Sequence, residues 1–322
     1  MLAVMPLYRG ARWGLLAALI LAACGQAGEA PHGCGLEGTT ALPEPAPQLA
    51  YTCSPEPSSH FHQDIFIVRP GERARLVTHG EGGNFVPRWS PDGRRIAFGS
   101  TRTGYMELYV MNADGTGVDQ ITHLSGFING VGWSPDGTQI AFASSAAGLT
   151  GPLGVLHSPS DIYIARADGT GARRLTFDGG GNSQPVWSPD GSRILFTSDL
   201  DGPYQVWVMN SDGSGQRPLT SVSQNGSPDW SPDGSQIVFN SERDYPGGYA
   251  GAVYLMAADG SAQRRLVDGG VRPNWSRDGK WIAFEKGSGE GIEIYAVHPD
   301  GSGLSQLTRD GANKWDPAWA PS

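Results

Sequence analysis

The sequence predicts an all-β protein, a six-bladed β-propeller of four-stranded antiparallel blades. Three observations carry this expectation. The word Trp89-Ser90-Pro91-Asp92-Gly93 returns at Trp133 to Gly137, Trp187 to Gly191 and Trp230 to Gly234, then as Trp275-Ser276-Arg277-Asp278-Gly279, and finally as Trp319-Ala320-Pro321-Ser322; the intervals between tryptophans are 44, 54, 43, 45 and 44 residues. A period near 44 residues built of short strands is a propeller blade rather than a helical solenoid. Gly and Pro make up 71 of the 322 residues, a load that interrupts long helices but suits tight turns. The dipeptide Asp-Gly occurs 14 times, and Gly adopts the positive φ of a hairpin turn at no steric cost.

Each period resolves into four strands. The first ends at the tryptophan. The second carries an apolar triplet: Ile96-Ala97-Phe98, Ile140-Ala141-Phe142, Ile194-Leu195-Phe196, Ile237-Val238-Phe239 and Ile282-Ala283-Phe284. The third alternates and ends in Asp-Gly, as in Leu108 to Gly115, Ile162 to Gly169, Val206 to Gly213, Val253 to Gly260 and Ile294 to Gly301. The fourth closes on Ile121-Thr122, Leu175-Thr176, Leu219-Thr220, Leu266-Val267 or Leu307-Thr308. One sheet cannot bury both of its faces, so each blade must stack on the next, with the repeated Trp and Phe as filling. Residues 48–54, 65–68 and 74–78 read as a second, third and fourth strand without a first, and Trp319 ends a first strand without a blade. Pairing the C-terminal inner strand with these three N-terminal strands completes six blades and leaves no open edge.

These motifs resemble the WD-like propeller repeat of the TolB family, the periplasmic component of the Tol-Pal envelope system, from about residue 48 to residue 322. The resemblance implies an extracytoplasmic, protein-binding role. Two departures qualify it: the TolB family has a separate α/β domain before its propeller, whereas here there is only a short tether and a lipidation signal.

That signal lies at the N-terminus. Residues 1–23 contain Arg9 and Arg12, no acid, and an apolar run from Trp13 to Ala23, the pattern of a secretory signal. Leu21-Ala22-Ala23-Cys24 is similar to the bacterial lipobox, so Cys24 is expected to be lipidated and to head the mature chain. Two or more acyl chains suffice for stable anchoring. Gly25 in second position favours the outer membrane, facing the periplasm, if the host is Gram-negative. Residues 24–47, rich in Gly, Pro, Ala, Glu and Thr, read as a flexible tether. Cys34 and Cys53 are then the remaining thiols, either bridged in an oxidising compartment or unpaired.

The formal net charge of −9 excludes phosphate-backbone binding as a first reading, so no nucleic-acid partner is expected. No nucleophile elbow, Walker loop, dinucleotide fingerprint or HExxH zinc motif is present, and no catalytic residue or cofactor is assigned. In a four-strand meander the first-to-second and third-to-fourth turns share one end of the blade, where the nearly identical Ser-Pro-Asp-Gly and Asp-Gly turns are structural. The variable connections share the other end. There lie residues 144–160, which account for the 54-residue interval, and residues 241–252 with Tyr245 and Tyr249. Variable loops on a rigid scaffold are where binding concentrates.

The same end holds the starts of the inner strands, and these supply the candidate residues of the channel mouth: Asn84, Arg88, Asn129, Asn182, Asn225, Asp229, Arg272, Asn274, Lys314 and Asp316. Asn84, Asn182 and Asn225 each stand five residues before the Trp, where they form either a partial ring of amides or left-handed turn ends. Arg88, Arg272 and Lys314 pair with Asp229 and Asp316 or receive a partner's carboxylate. His60, His62, His79, His123 and His157 fall in loops of this face, but exposed polar loops spread around a wide ring make a metal site the weaker reading. The function expected is therefore a monomeric, non-catalytic scaffold, attached to the membrane only through its lipid, that holds an envelope protein or cell-wall polymer. The alternative is a polysaccharide-binding or polysaccharide-cleaving propeller, a lyase or hydrolase using Asp229, Asp316 and the His60/His62 pair.

Overall fold

The computed structural model describes residues 34, 42, 47–54, 63–80, 82–145, 160–244, 251–287 and 291–321. The described residues form six four-stranded antiparallel sheets and no helix. Five sheets are uninterrupted meanders, with inner strands Asn84–Trp89, Ile128–Trp133, Ser183–Trp187, Asn225–Trp230 and Val271–Trp275; we number these blades 2 to 6. Blade 1 is composite. Its inner strand, Lys314–Trp319, pairs with Leu49–Cys53, which continues into Asp64–Val68 and Arg75–Leu76. The one-plus-three closure expected from the two incomplete ends is thus present, with Leu49 opposite Trp319 and Cys53 opposite Lys314.

The core lies between blades. In every blade an aromatic of the second strand stacks on or tilts against one of the third, as Tyr51/Phe66, Phe98/Tyr109, Phe142/Tyr163, Phe196/Trp207, Phe239/Tyr254 and Phe284/Tyr295, with centroids 5.6 to 6.2 Å apart. These pairs sit directly opposite in the strand registers, where cross-strand contacts stabilise a sheet most. The Ser-Pro-Asp-Gly turns are closed by their own side chains. In the first, Ser90 Oγ donates to Asp92 Oδ1 at 2.6 Å and accepts from the Arg95 N–H at 2.9 Å. Asp136, Asp190, Asp233 and Asp278 repeat the serine contact, so each carboxylate is occupied in shaping its own turn.

The segment expected as a tether is held at two points. Cys34 is disulfide-bonded to Cys53, with Cα atoms 6.0 Å apart. Cys34 and Leu42 are buried in the apolar cluster that joins blades 6 and 1, with Tyr51, Trp281, Ile294 and Trp319. Cys34 also accepts a hydrogen bond at its carbonyl from the Tyr51 hydroxyl. Cys34 and Leu42 are thus attached to the ring, and the rest of the expected tether, residues 24–33, 35–41 and 43–46, lies outside the described residues. Cys24 and the signal segment lie outside the described residues.

Candidate functional site: the channel mouth and the variable face

Each inner strand is kinked at one position, three residues before its tryptophan. Val86, Gly130, Gln184, Ser227, Arg272 and Asp316 all have positive φ, between 48° and 98°, and every inner strand shifts register across this point. The local sequence explains the bulge. Proline follows in five blades (Pro87, Pro185, Pro228, Pro273, Pro317); it has no N–H for the ladder and is tolerated in a sheet where pairing is interrupted. In blade 3, where Val131 follows instead, the kinked residue is Gly130, which meets no Cβ penalty. Left-handed non-glycine backbone costs on the order of 1–3 kcal/mol per residue, and bulges re-aim side chains.

The six kinked residues form the inner rim of the mouth. Gln184 Nε2 donates to Ser227 Oγ at 3.0 Å, and Gln184 Oε1 accepts from the Ser227 N–H at 2.8 Å and from Thr197 Oγ1 at 3.0 Å. Within blade 6, Arg272 Nη1 lies 3.1 and 3.2 Å from the two oxygens of Glu285, and across the junction to blade 1 its Nε lies 3.5 Å from Asp316. The Asp316 N–H donates to Glu285 at 2.7 Å. Burial raises the Glu285 carboxyl above its ordinary value, and the Asp316 charge adds to this against the opposing pull of Arg272; Arg272 is in turn held more firmly in its charged form, by Glu285 first and Asp316 second.

One layer deeper, Asp229 Oδ2 accepts from Asn274 Nδ2 and from the Trp275 N–H, both at 2.8 Å, while Asn274 Oδ1 accepts from the Trp319 N–H at 2.8 Å. These side chains stitch blade 5 to blade 6 and blade 6 to blade 1. Burial pushes Asp229 up to about 6, opposed by the Trp275 N–H and the Arg88 charge. Arg88 itself donates to the carbonyl of Pro87 at 2.9 Å.

Several candidates stand elsewhere than the mouth. Asn84, Asn182 and Asn225 do not ring the channel: all three are buried, and their amides tie the preceding loop down, as when Asn225 donates to Gln205 Oε1 and the Val222 carbonyl. Nor are they left-handed, that conformation being adopted two residues later. Lys314 is fully buried at the equivalent position of blade 1, where its ammonium contacts Asp310, the Ala312 carbonyl at 3.0 Å and Glu293 at 3.2 Å. It pairs with neither Asp229 nor Asp316. Asn129 is exposed on the rim. Tyr245, Tyr249, His60, His62 and His157 lie outside the described residues; His79 and His123 are exposed in loops before blades 2 and 3. Among the described residues no three His, Cys, Asp or Glu side chains converge as a metal site.

Two features escaped the sequence reading. Glu285 occupies the position just after the second-strand Phe, filled elsewhere by Gly99, Ala143, Thr197 and Asn240; a charge at a repeat position that otherwise carries small or neutral residues was the available signal. The second feature is apolar. Of the eight exposed large hydrophobic residues among those described, Tyr105, Phe127, Phe177, Leu200, Tyr204 and Val222 lie in second-to-third or fourth-to-first connections, on the variable face of blades 2 to 5; only Val118 and Leu304 lie toward the opposite face. Phe177, 73% exposed, carries the Arg174 guanidinium 4.8 Å from its ring centre.

Comparison with known proteins gives two family matches, both to propellers: the TolB beta propeller domain over residues 48–151 and the Tricorn protease N-terminal beta propeller domain over residues 149–270. The Tol-Pal system protein TolB of Bordetella pertussis is 35% identical over 144 residues, 44% of this chain and 31% of that protein. A Protein TolB homolog of Chlorobium luteolum is 33% identical over 158 residues, 49% of this chain and 33% of that protein. These matches span about a third of the relatives' own length. The crystal structure of TolB from Acinetobacter baumannii superposes with a TM-score of 0.73 at 23% identity, covering 86% of this chain and 67% of that one.

Proposed function

We propose that this chain, a TolB-like β-propeller, is a lipid-anchored extracytoplasmic scaffold that binds a protein of the cell envelope through its variable face and does not catalyse a reaction. The observation that supports the reading is the segregation of exposed apolar side chains. Six of the eight among the described residues are on the face that also carries the variable loops, and exposed apolar side chains gathered on one face favour an interaction site there. The carboxylates of the mouth favour binding over hydrolysis: Glu285 is engaged by Arg272 and by the Asp316 N–H, and Asp229 by three N–H donors. Neither is left free to serve as acid or base beside a water.

The test is capture of tagged protein from membranes after brief cross-linking, in parallel with a variant lacking residues 146–157 and with Phe177→Ser. A specific envelope protein that disappears in either variant supports the scaffold. Recovery of background alone, with retention on a cell-wall polysaccharide column, overturns it in favour of glycan recognition. Anchoring is tested separately: Cys24→Ser is expected to shift the protein from the membrane to the soluble fraction.

A further inference from the structure

The Cys34–Cys53 bridge joins the segment that precedes the propeller to one particular end of blade 1. Cys53 is the last residue of the strand Leu49–Cys53 and pairs with Lys314, the first residue of the inner strand. It stands where the second-to-third connection begins, which in every blade is the variable face. Leu49, at the other end of the same strand, pairs with Trp319 and borders the face of the Asp-Gly turns. The repeat singles this cysteine out. Ser100, Ser144, Ser198 and Ser241, all buried, close the second strands of blades 2 to 5, and blade 1 has Cys53 in their place.

The bridge therefore decides where the chain is held nearest to its lipid. From Cys24 to Cys34 is a step of ten residues, at most about 35 Å of chain. Through the sheet alone the first fixed residue is Leu49, a reach of at most about 85 Å from Cys24, and it lies at the opposite face. Reach also separates the two ways in which the bridged ring could hang. With the variable face turned to the bilayer, the ten residues can span the gap at any separation up to their full length. With the Asp-Gly face turned to it, they must first pass the two strands outside Leu49–Cys53, about 10 Å, and then descend the edge of a five-residue strand, about 16 Å. That detour takes up most of their reach, and a chain drawn nearly straight has lost most of its conformational freedom.

We propose that the Cys34–Cys53 bridge sets the orientation of the anchored ring, holding its variable face toward the membrane that carries the lipid and the Asp-Gly turns away from it. The inference rests on the lipid-anchor part of the scaffold reading and deepens it. The exposed apolar side chains of the variable face, Tyr105 and Phe177 among them, are thereby turned toward that membrane, and an envelope protein bound through them is one exposed at its surface. Cys34 and Cys53 are both completely buried, so the bridge is a lasting fixture of the folded ring rather than a surface disulfide open to exchange.

The experiment uses the full lipidated chain, purified from membranes and added to preformed phosphatidylcholine vesicles that carry an energy-transfer acceptor on some of their headgroups. A fluorescent amino acid replaces either Tyr105 or Val118, exposed residues at opposite ends of blade 2, about 20 Å apart along a six-residue strand. Flotation of the vesicles reports attachment, and transfer to the headgroups reports orientation. Transfer is expected to be several-fold higher from position 105 than from position 118. In the double variant Cys34→Ser/Cys53→Ser, which gives blade 1 the serine of blades 2 to 5, the difference should shrink as the reach to the lipid lengthens. Equal transfer from the two positions in floating protein, or higher transfer from 118, overturns the orientation and leaves the anchor standing; a chain that does not float overturns both. A difference undiminished in the double variant takes the orienting role away from the bridge and overturns the proposal as well. The comparison between positions in the bridged protein stands whether or not the variant folds.

Discussion

Arg272 and Glu285 face each other across a β-bulge, the guanidinium within 3.2 Å of both carboxylate oxygens, and the backbone N–H of Asp316 from the neighbouring blade completes the carboxylate's hydrogen bonding. The junction between blades 6 and 1 is thereby closed by charge at the mouth, whereas the junction between blades 4 and 5 is closed there by the neutral pair Gln184 and Ser227. The rim is consequently polar all along this arc yet ionic on one side only.

Asp229 makes stability depend on pH. Its folded value, raised to about 6 by burial from an ordinary 3.8, means that the folded state holds the proton more tightly than the unfolded one. Its contribution is therefore greatest at low pH and declines as pH rises from about 4 to about 6. The full displacement corresponds to roughly 3 kcal/mol. Urea midpoints measured from pH 4 to pH 7 should fall more steeply for the native protein than for Asp229→Asn. Parallel slopes would show that Asp229 does not titrate in this range.

Removal of residues 313–322 deletes an inner strand whose six residues are all buried and exposes the edge of Leu49–Cys53. The expected result is loss of the cooperative melting transition or a large drop in its midpoint. A truncated protein melting like the whole chain would show that blade 1 does not depend on its inner strand.

The Cys34–Cys53 bridge closes a loop with a sequence separation of 19 residues, for which the chain-entropy estimate is about 3 kcal/mol. Replacing both cysteines with serine should lower the urea midpoint accordingly while leaving the far-ultraviolet circular dichroism of the sheets unchanged. An unchanged midpoint would mean that burial of Leu42 holds the segment by itself.

Lys314 tests the buried charge cluster. Lys314→Met leaves Asp310 and Glu293 without their cation, and breaking a buried pair from one side costs about 3–5 kcal/mol. Adding Asp310→Asn and Glu293→Gln to the same variant should recover much of that loss. If it does not, packing around the lysine stem, rather than charge, accounts for the destabilisation.

Blade number, strand order and closure were legible because the Trp-Ser-Pro-Asp-Gly word marks the same point of every blade and the two ends were visibly incomplete. The mouth was legible only in part. Arg272 and Asp316 stand at the bulges of their inner strands and Asp229 directly before its Trp, positions that the distance from the Trp gives at once. Burial was not encoded in that distance. Asn84 and Lys314 hold the same repeat position and both turn into the wall, because the bulge two residues later re-aims the strand; the proline that recurs beside it in five blades marks an interrupted ladder but not the direction in which a side chain turns.

The composite blade has a consequence for the order of events in the cell. Every other sheet is complete once about 40 consecutive residues are available, but Leu49–Cys53 must wait for Lys314–Trp319, made more than 250 residues later. In a chain synthesised or threaded across a membrane from its N-terminus, five sheets can assemble while the ring still gapes, and the last inner strand acts as a latch. Until it arrives, the side of blade 1 carrying Leu49 and Tyr51 stays accessible to proteases and chaperones, so a nascent molecule that stalls late remains open to disposal and a finished one does not.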